Sequence, residues 1–334
     1  MVLITGATGF LGSHLLIKLL EKGEKVRALY RDSSKQAVVS ALFSYYNKQQ
    51  LFEQIQWFEA DITDIPSMEA AFVSINDVYH CAAYISFDPD DEEQLRKVNI
   101  EGTANIVNFC LVNNVRKLCF VSSIAALGDL QDHEKIITEN TEWNAEKYHS
   151  DYAISKYGAE MEVWRGEQEG LDVVIVNPGV ILGPDYSEKG SGQLFLEVKK
   201  GLKYYTKGST GFIAVKDVVD TMWLLMNSEI KGERFILISE NVVFEQLVNT
   251  MAIALDSKKP RFYAKKWMTG IVWRLDWILA TVFFARRKLS KAMARSLHST
   301  DLYSNEKIKG VGIIDFTVIS QVIHETSPFY KNKG

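Results

Sequence analysis

Apolar positions in the first half of the chain follow two alternating patterns. Short apolar runs flanked by turn residues read as strands buried on both faces. They fall at Val2–Thr5, Lys25–Tyr30, Ile55–Glu59, Asp77–Ala82, Lys117–Ser122 and Asp172–Asn177. Between them, apolar residues recur at helical spacing. Leu15, Leu16, Leu19 and Leu20 share one face of a helix predicted over Ser13–Lys22, with Gly23 as its stop. Further helices are predicted over Pro66–Ser74, Glu92–Asn113 and Tyr152–Glu169. Such alternation predicts an α/β fold with a doubly wound parallel sheet.

The rhythm changes after Gly183. Gly190–Gly192 reads as a flexible link, and Gln193–Lys200 as a helix. Phe212–Val215 and Phe235–Ser239 read as strands, with helix Val218–Asn227 between them. Helix Val242–Leu255 follows, then a Trp-rich helical stretch from Lys265 to Leu297. The expected plan is a first domain over residues 1–182, with 212–240 returning to it. Residues 183–334 then form mainly a smaller, helix-rich substrate lobe over the carboxyl edge of the sheet.

Composition narrows the class. With 47% hydrophobic and 24% charged residues, six prolines and no low-complexity tract, the chain is globular rather than disordered. Its net charge of −4 argues against a general nucleic-acid binder. Cys81, Cys110 and Cys119 have no CxxC spacing, and Cys81 and Cys119 lie in apolar, strand-like runs. They predict buried reduced thiols, no disulfide framework, no metal site and a cytoplasmic location. The chain opens in a strand without a basic n-region, so no secretory signal is expected.

The turn Gly6-Ala7-Thr8-Gly9-Phe10-Leu11-Gly12 joins the first strand to the first helix. Gly6 permits a tight turn, Gly9 a close approach to a pyrophosphate, and Gly12 close helix–sheet packing. The helix N-terminus then faces the phosphates, as in a Rossmann dinucleotide site. The end of the second strand selects the cofactor. An acid there suits the ribose hydroxyls of NAD. Here Tyr30 and Arg31 stand at that point, and an arginine can pair with the 2′-phosphate of NADP. NADP is therefore expected. Asp32, 20 residues past Gly12, leaves NAD open. Asp61 and Ile62 end the third strand, where the carboxylate can meet an adenine amino group or cap the next segment. Ala82 and Ala83, after the fourth, allow close backbone approach to the cofactor, and His80 reads as structural.

Tyr152 and Lys156 are four residues apart at the start of a predicted helix, hence on one face. A free phenol, with a pKa of about 10, is a poor base at neutral pH. A nearby ammonium favours phenolate and lowers that value. Lys156 can also hold the nicotinamide ribose. Ser122 and Ser123 end the fifth strand, and we assign Ser123 to steady a substrate oxygen as charge develops. Asn99, within the long helix, can position a relay water or make a structural hydrogen bond.

Several segments together resemble the extended short-chain dehydrogenase/reductases, the NAD-dependent epimerase/dehydratase family. They are TGATGFLG at 5–12, VNIEGT at 98–103, VSS at 121–123, YAISK at 152–156 and NPGVILGP at 177–184. Phe212–Val219 resembles the family's later strand–helix signature. The resemblance implies Ser123, Tyr152 and Lys156 as the catalytic set. It also implies that the backbone of Pro178, Gly179 and Val180 contacts the nicotinamide, and that the protein is a homodimer. Dehydratases of this family carry an Asp-Glu pair after the active-site hydroxyl, where this chain has Ile124-Ala125-Ala126. Many sugar-nucleotide enzymes place Arg-Asp before the Phe-Ile strand, where this chain has Thr210-Gly211. The acidic run before Val98 and the segment Tyr303–Lys307 look like the dihydroflavonol 4-reductase-like and 3β-hydroxysteroid dehydrogenase-like branch. Hydride transfer to a small-molecule ketone, or from a secondary alcohol, is therefore expected. A nucleotide-sugar epimerase is the alternative, and a non-catalytic NADPH sensor the reading from another class. Phe195, Trp267 and Trp273 hint at a bulky apolar substrate, although core packing would account for them equally.

Residues 261–295 carry nine basic residues and one acid, Asp276; this segment is +8, which leaves −12 for the rest of the chain. The longest uncharged run, Trp277–Ala285, is nine residues, while a membrane span needs about 20. The expectation is a set of amphipathic lobe helices with solvated basic faces. A substrate lid and a helix on an anionic membrane are the other readings.

Overall fold

The structure is a computed structural model describing residues 1–131, 134–187, 190–283, 289–312 and 315–333. Twelve strands are formed among the described residues, in chain order. They are β1 (Val2–Thr5), β2 (Val26–Tyr30), β3 (Gln56–Glu59), β4 (Asp77–His80), β5 (Lys117–Val121), β6 (Val173–Pro178), β7 (Val180–Leu182), β8 (Tyr204–Tyr205), β9 (Ser209–Ala214), β10 (Glu233–Leu237), β11 (Glu240–Val243) and β12 (Phe262–Tyr263). Seven make one parallel sheet in the order β10-β6-β5-β4-β1-β2-β3. Strand order reverses between β1 and β4, so the switch-point crevice lies beside the first glycine turn.

Alternation along the strands divides the core. Ile4, Ala28, Tyr79, Cys119 and Val174 face one layer, which includes residues of helices Phe10–Glu21 and Val215–Met226. Leu3, Leu29, Val78, Leu118 and Ile175 face the other, with residues of helices Gly102–Val112 and Asp151–Gln168. Both faces are covered, which explains the continuous apolar runs. A third cluster, including Leu182, Phe212, Met251, Ile323 and Tyr330, forms the core of the smaller lobe.

Several boundaries differ from the sequence reading. The first helix begins at Phe10, straight out of the glycine turn. The helix over Glu92–Val112 contains a π-helical turn, Arg96–Glu101, that no periodicity signals. Gly192 lies inside the helix Ser191–Lys199, and only Gly190, at φ +56°, acts as a turn. The helix expected from Val242 begins at Phe244, because Val242 and Val243 end β11, which pairs antiparallel with β9. β9 lies with β7 and β11 in a separate three-stranded sheet, while β10 joins the main sheet beside β6. The helices Gln36–Tyr45 and Ile319–Lys331 were not anticipated.

Candidate active site

The glycine turn leads off β1 at the carboxyl edge of the sheet. Gly6 is at φ +66°, and a Cβ there would lie 2.6 Å from the Ala82 nitrogen. A Cβ on Gly12 would lie 2.2 Å from the Gly6 carbonyl oxygen. The turn thus tolerates no side chain at either position. Gly9 caps the helix Phe10–Glu21, and no side chain satisfies the first-turn N–H groups. An uncapped helix N-terminus beside exposed glycine backbone suits a dinucleotide diphosphate. Thr8, Phe10 and Leu11 complete this turn. The Thr5 hydroxyl accepts from the Ala82 N–H at 3.1 Å, which draws the Ala82 and Ala83 segment against it.

Arg31 follows β2 and is exposed, with its guanidinium 3.3 Å from Asp61 Oδ2. Asp32 is turned to a local task. Its Oδ1 accepts from the backbone N–H and the hydroxyl of Ser34, capping a short 3₁₀ turn. These Ser34 bonds hold its carboxyl below the usual range. Asp61 is also engaged, through Oδ1 with the Thr63 N–H at 2.9 Å and hydroxyl at 2.8 Å. Burial alone would raise this carboxyl, but the Thr63 bonds and Arg31 outweigh it and the net shift is downward. Asp61 thus closes a local turn at Thr63 rather than capping the next helix, Ile65–Ala71, which Asp64 caps instead. Ile62 is buried, and its Cδ1 would meet a Cβ on Gly102 at 2.6 Å.

Tyr152 stands in the first turn of the helix Asp151–Gln168, which Ser150 caps through a 3.2 Å bond from the Ala153 N–H. The Ser123 side chain lies close enough to the Tyr152 phenol to pull its pKa down. Ser123 Oγ accepts from the Ala125 N–H at 3.1 Å, leaving its O–H to donate. Lys156 lies one turn further on, only 2% exposed, and donates to the Val121 carbonyl at 2.7 Å. Its ammonium sits 4.5 Å from the centre of the Phe120 ring. Here the sequence expectation needs correction. Burial dominates Tyr152 and raises its phenol, with only Ser123 pulling it down. Lys156 is itself desolvated, and its ammonium is lowered to about 8. A lysine spent on a backbone carbonyl does not act as the chief acidifier of the phenol.

Asn99 lies in the π-helical turn and is almost fully buried. Its Oδ1 accepts from the Tyr84 N–H at 2.7 Å. Its Nδ2 donates to the Tyr84 carbonyl and to Ser155 Oγ, each at 2.9 Å. Both amide protons are thus used in tying the segment after Ala83 to the Tyr152 helix. His80, read as structural, is buried between the hydroxyls of Thr5 (2.6 Å) and Thr103 (3.0 Å). Thr103 donates onward to the Asn99 carbonyl, so the imidazole must give it the Nε2 proton. Burial lowers the imidazole to about 3, consistent with that neutral tautomer.

Sequence reading missed the group behind the site. Glu160, one turn beyond Lys156, is fully buried. It accepts from Ser122 Oγ (2.7 Å), Asn177 Nδ2 (3.0 Å) and Arg234 Nη1 (2.8 Å). Arg234 comes from β10, and Asn177 also donates to the Ser123 carbonyl at 3.1 Å. Glu160 raises the Lys156 ammonium against the effect of burial. The i, i+4 spacing from Lys156 was a usable signal, but Arg234 is remote in sequence.

Pro178, Gly179 and Val180 carry the chain from β6 to β7. Gly179 N–H bonds the Leu237 carbonyl at 3.0 Å, and a Cβ on Gly179 would lie 2.3 Å from the Gly211 oxygen. A pocket of about 320 Å³ lies beside the Tyr152 helix. Phe87, Tyr148, Asp151, Trp273, Trp277 and Leu289 line it, and the Phe87 ring lies 5.6 Å from that of Tyr152. Phe195 is not part of it; it stacks on Tyr330 in the lobe core. Trp267 is exposed and likewise outside it. The basic side chains Lys265, Lys266 and Arg274 are exposed as expected, but the apolar face is not buried. The helix Lys266–Phe283 turns apolar side chains outward. Arg286, Arg287 and Lys288 lie outside the described residues.

Comparison with known proteins agrees with this geometry. The model of the NAD dependent epimerase/dehydratase family matches residues 2–237. The chain is 30% identical to sterol demethylase protein B of Methylococcus capsulatus, over 85% of this chain and 84% of that protein. It is 30% identical to the bifunctional dihydroflavonol 4-reductase/flavanone 4-reductase of Pyrus communis, over 55% of this chain and 54% of that one. The crystal structure of gox2253 superposes with a TM-score of 0.82 at 26% identity, over 100% of this chain and 98% of that one. The expected family and its reductase-containing branch are thereby borne out. With its doubly wound sheet, glycine turn and Ser123–Tyr152–Lys156 cluster, this chain belongs to the NAD dependent epimerase/dehydratase family, enzymes of the extended short-chain dehydrogenase/reductase type that carry out nicotinamide-dependent oxidoreduction.

Proposed function

We propose that this protein transfers hydride between NADP(H) and a ketone or secondary alcohol with an apolar body. The observation that carries this reading is Tyr152 and Lys156 one turn apart on the same helix, with Ser123 beside the phenol and the apolar pocket adjacent. The cofactor supplies or accepts hydride at the nicotinamide. In reduction Tyr152 gives its proton to the substrate oxygen, and Ser123 donates a hydrogen bond to that oxygen as charge develops. Lys156 anchors the nicotinamide ribose, and the Pro178–Val180 backbone borders the ring. Asn99 acts as a positioning residue, because its amide protons are held by Tyr84 and Ser155. Residues 1–182 with 212–240 serve the cofactor, and 183–334 mainly the substrate. Three free cysteines suit a reducing cytoplasm, and a homodimer follows the family resemblance.

Arg31 favours NADP because it is exposed at the end of β2, whereas Asp32 is committed to Ser34. Arg31→Ala is expected to raise KM for NADPH by about tenfold or more, with little change for NADH. Steady-state kinetics with both cofactors checks this, and a strong NADH preference in the parent protein overturns it.

The reaction itself is tested by a panel of carbonyl compounds with NADPH and NADH in parallel. Net loss of absorbance near ~340 nm, absent in Tyr152→Phe, is the expected outcome. Interconversion of sugar nucleotides without net cofactor turnover assigns the site to epimerisation instead. Tight NADPH binding with no turnover of any substrate assigns it to sensing.

A further inference from the structure

An ordinary surface helix points its apolar stripe at the core. The helix Lys266–Phe283 does the reverse. Trp267, Ile271, Leu275, Ile278 and Leu279 follow one another at helical spacing on its outer side. Their exposures run from 47% to 64%. The inward side carries the polar groups. Thr269 Oγ1 lies 2.9 Å from His298 Nε2, and Asp276 Oδ2 accepts from the Leu289 N–H at 3.0 Å. The stripe is therefore an outward apolar surface fixed by inward polar bonds, not a frayed core helix. Contiguous apolar patches of this kind mark interaction sites. β12, just ahead of it in the chain, pairs with β8, and the pair exposes two more rings, Tyr204 at 50% and Phe262 at 57%. Aromatic side chains of this type favour an interface that is apolar on one side and wet on the other.

Charge identifies the occupant. Residues 261–295 are +8 in a chain of net −4, so the rest carries −12. Arg261, Lys265, Lys266 and Arg274 lie on or next to the exposed helix. Packing this patch against the same patch of a second copy would bring like charges together. An anionic surface with an apolar interior satisfies both the cations and the stripe. No helix among the described residues is long and apolar enough to cross a membrane, so the geometry is that of a helix lying in the plane.

We propose that the helix Lys266–Phe283 docks this protein on an anionic lipid surface, with the Trp267–Leu279 stripe seated among the acyl chains. The acidic remainder of the molecule turns away from the bilayer. Trp273 and Trp277, from the same helix, line the apolar pocket beside Tyr152. Docking therefore sets that pocket next to the lipid phase. The proposal does not depend on the reaction assigned above.

The test is flotation of the full chain with vesicles of phosphatidylcholine, with and without phosphatidylglycerol. Binding to the phosphatidylglycerol vesicles, weakened by salt and accompanied by a blue shift of tryptophan fluorescence, is expected. Leu275→Glu combined with Leu279→Glu should lower the vesicle partition coefficient by about tenfold or more, since charge then enters the acyl region. Lys265→Glu combined with Lys266→Glu should weaken binding to the anionic vesicles selectively. Cofactor binding, followed by NADPH fluorescence, should be unchanged in both, which shows that they fold. No binding to either vesicle overturns the proposal, as does equal, salt-independent binding to both. A parent protein that ignores vesicles but falls from dimer to monomer in the Leu275→Glu, Leu279→Glu variant assigns the stripe to a subunit interface instead.

Discussion

Tyr152→Phe lowers kcat by about 10²–10⁴-fold, the range that a lost general acid–base supplies. Affinity for the nicotinamide cofactor, read by fluorescence titration, changes far less, because the glycine turn and Lys156 remain. The phenyl ring keeps the contact with Phe87, so the fold is undisturbed. What disappears is the hydroxyl, the proton donor itself. A variant retaining more than about a tenth of parental kcat would remove Tyr152 from proton transfer. The pH response follows from the same surroundings. In reduction Tyr152 must start protonated, and burial raises its phenol, so it stays protonated through neutrality. Lys156 titrates within the assay range, because burial lowers its ammonium to about 8. The kcat/KM for the cofactor reports the free enzyme. It should be level through neutral pH and decline as pH rises past about 8, where Lys156 loses its charge. A profile level to pH ~10, where an unperturbed lysine titrates, counts against Lys156 as the group responsible.

Glu160→Ala destabilises the protein by about 3–5 kcal/mol, the cost of leaving one partner of a buried ion pair without its mate. Glu160 has no exposed surface, and the Arg234 side chain is only 19% exposed. Removing the carboxylate also takes the acceptor from Ser122 and Asn177. Those two residues sit at the ends of β5 and β6, where Ser123 is presented. Glu160→Gln keeps the shape and one acceptor oxygen but not the charge, so it should fall between. Urea denaturation of the two variants and the parent measures the effect. Equal stability of Glu160→Ala and the parent would show that the network carries no net weight. The charge has a second readout. Glu160 raises the Lys156 ammonium, so Glu160→Gln should move the alkaline decline of kcat/KM to lower pH. A purely structural residue would not shift that limb.

The legible part of the site is the local part. Gly6 to Gly12 fixes a turn whose backbone admits no side chain at its two ends, and that demand is written in adjacent residues. Tyr152 and Lys156 lie on one helix, where a spacing of four sets the shared face. The alternating runs of β1, β2, β4, β5 and β6 give the doubly wound sheet, because parallel strands covered on both sides must be apolar throughout. Arg31 and Asp32 were legible as residues but not as roles. Only the tertiary structure gives their partners: Asp32 caps the 3₁₀ turn through Ser34, and Arg31 pairs with Asp61.

What tertiary structure alone decided depends on residues far apart in the chain, or on which way a helix is turned. Glu160 meets Arg234 across 74 positions, and no local pattern pairs them. The acidity of Tyr152 and Lys156 is set by how deeply the helix packs against β5 and β6, so the expected low phenol gave way to a raised one. Asn99 is held by Tyr84 through a π-helical turn that the helical period conceals. The basic Trp-rich stretch was readable as an amphipathic helix, because period and composition are local. Its orientation was not. Thr269 and Asp276 find their partners at His298 and Leu289, and that choice turns the apolar stripe outward.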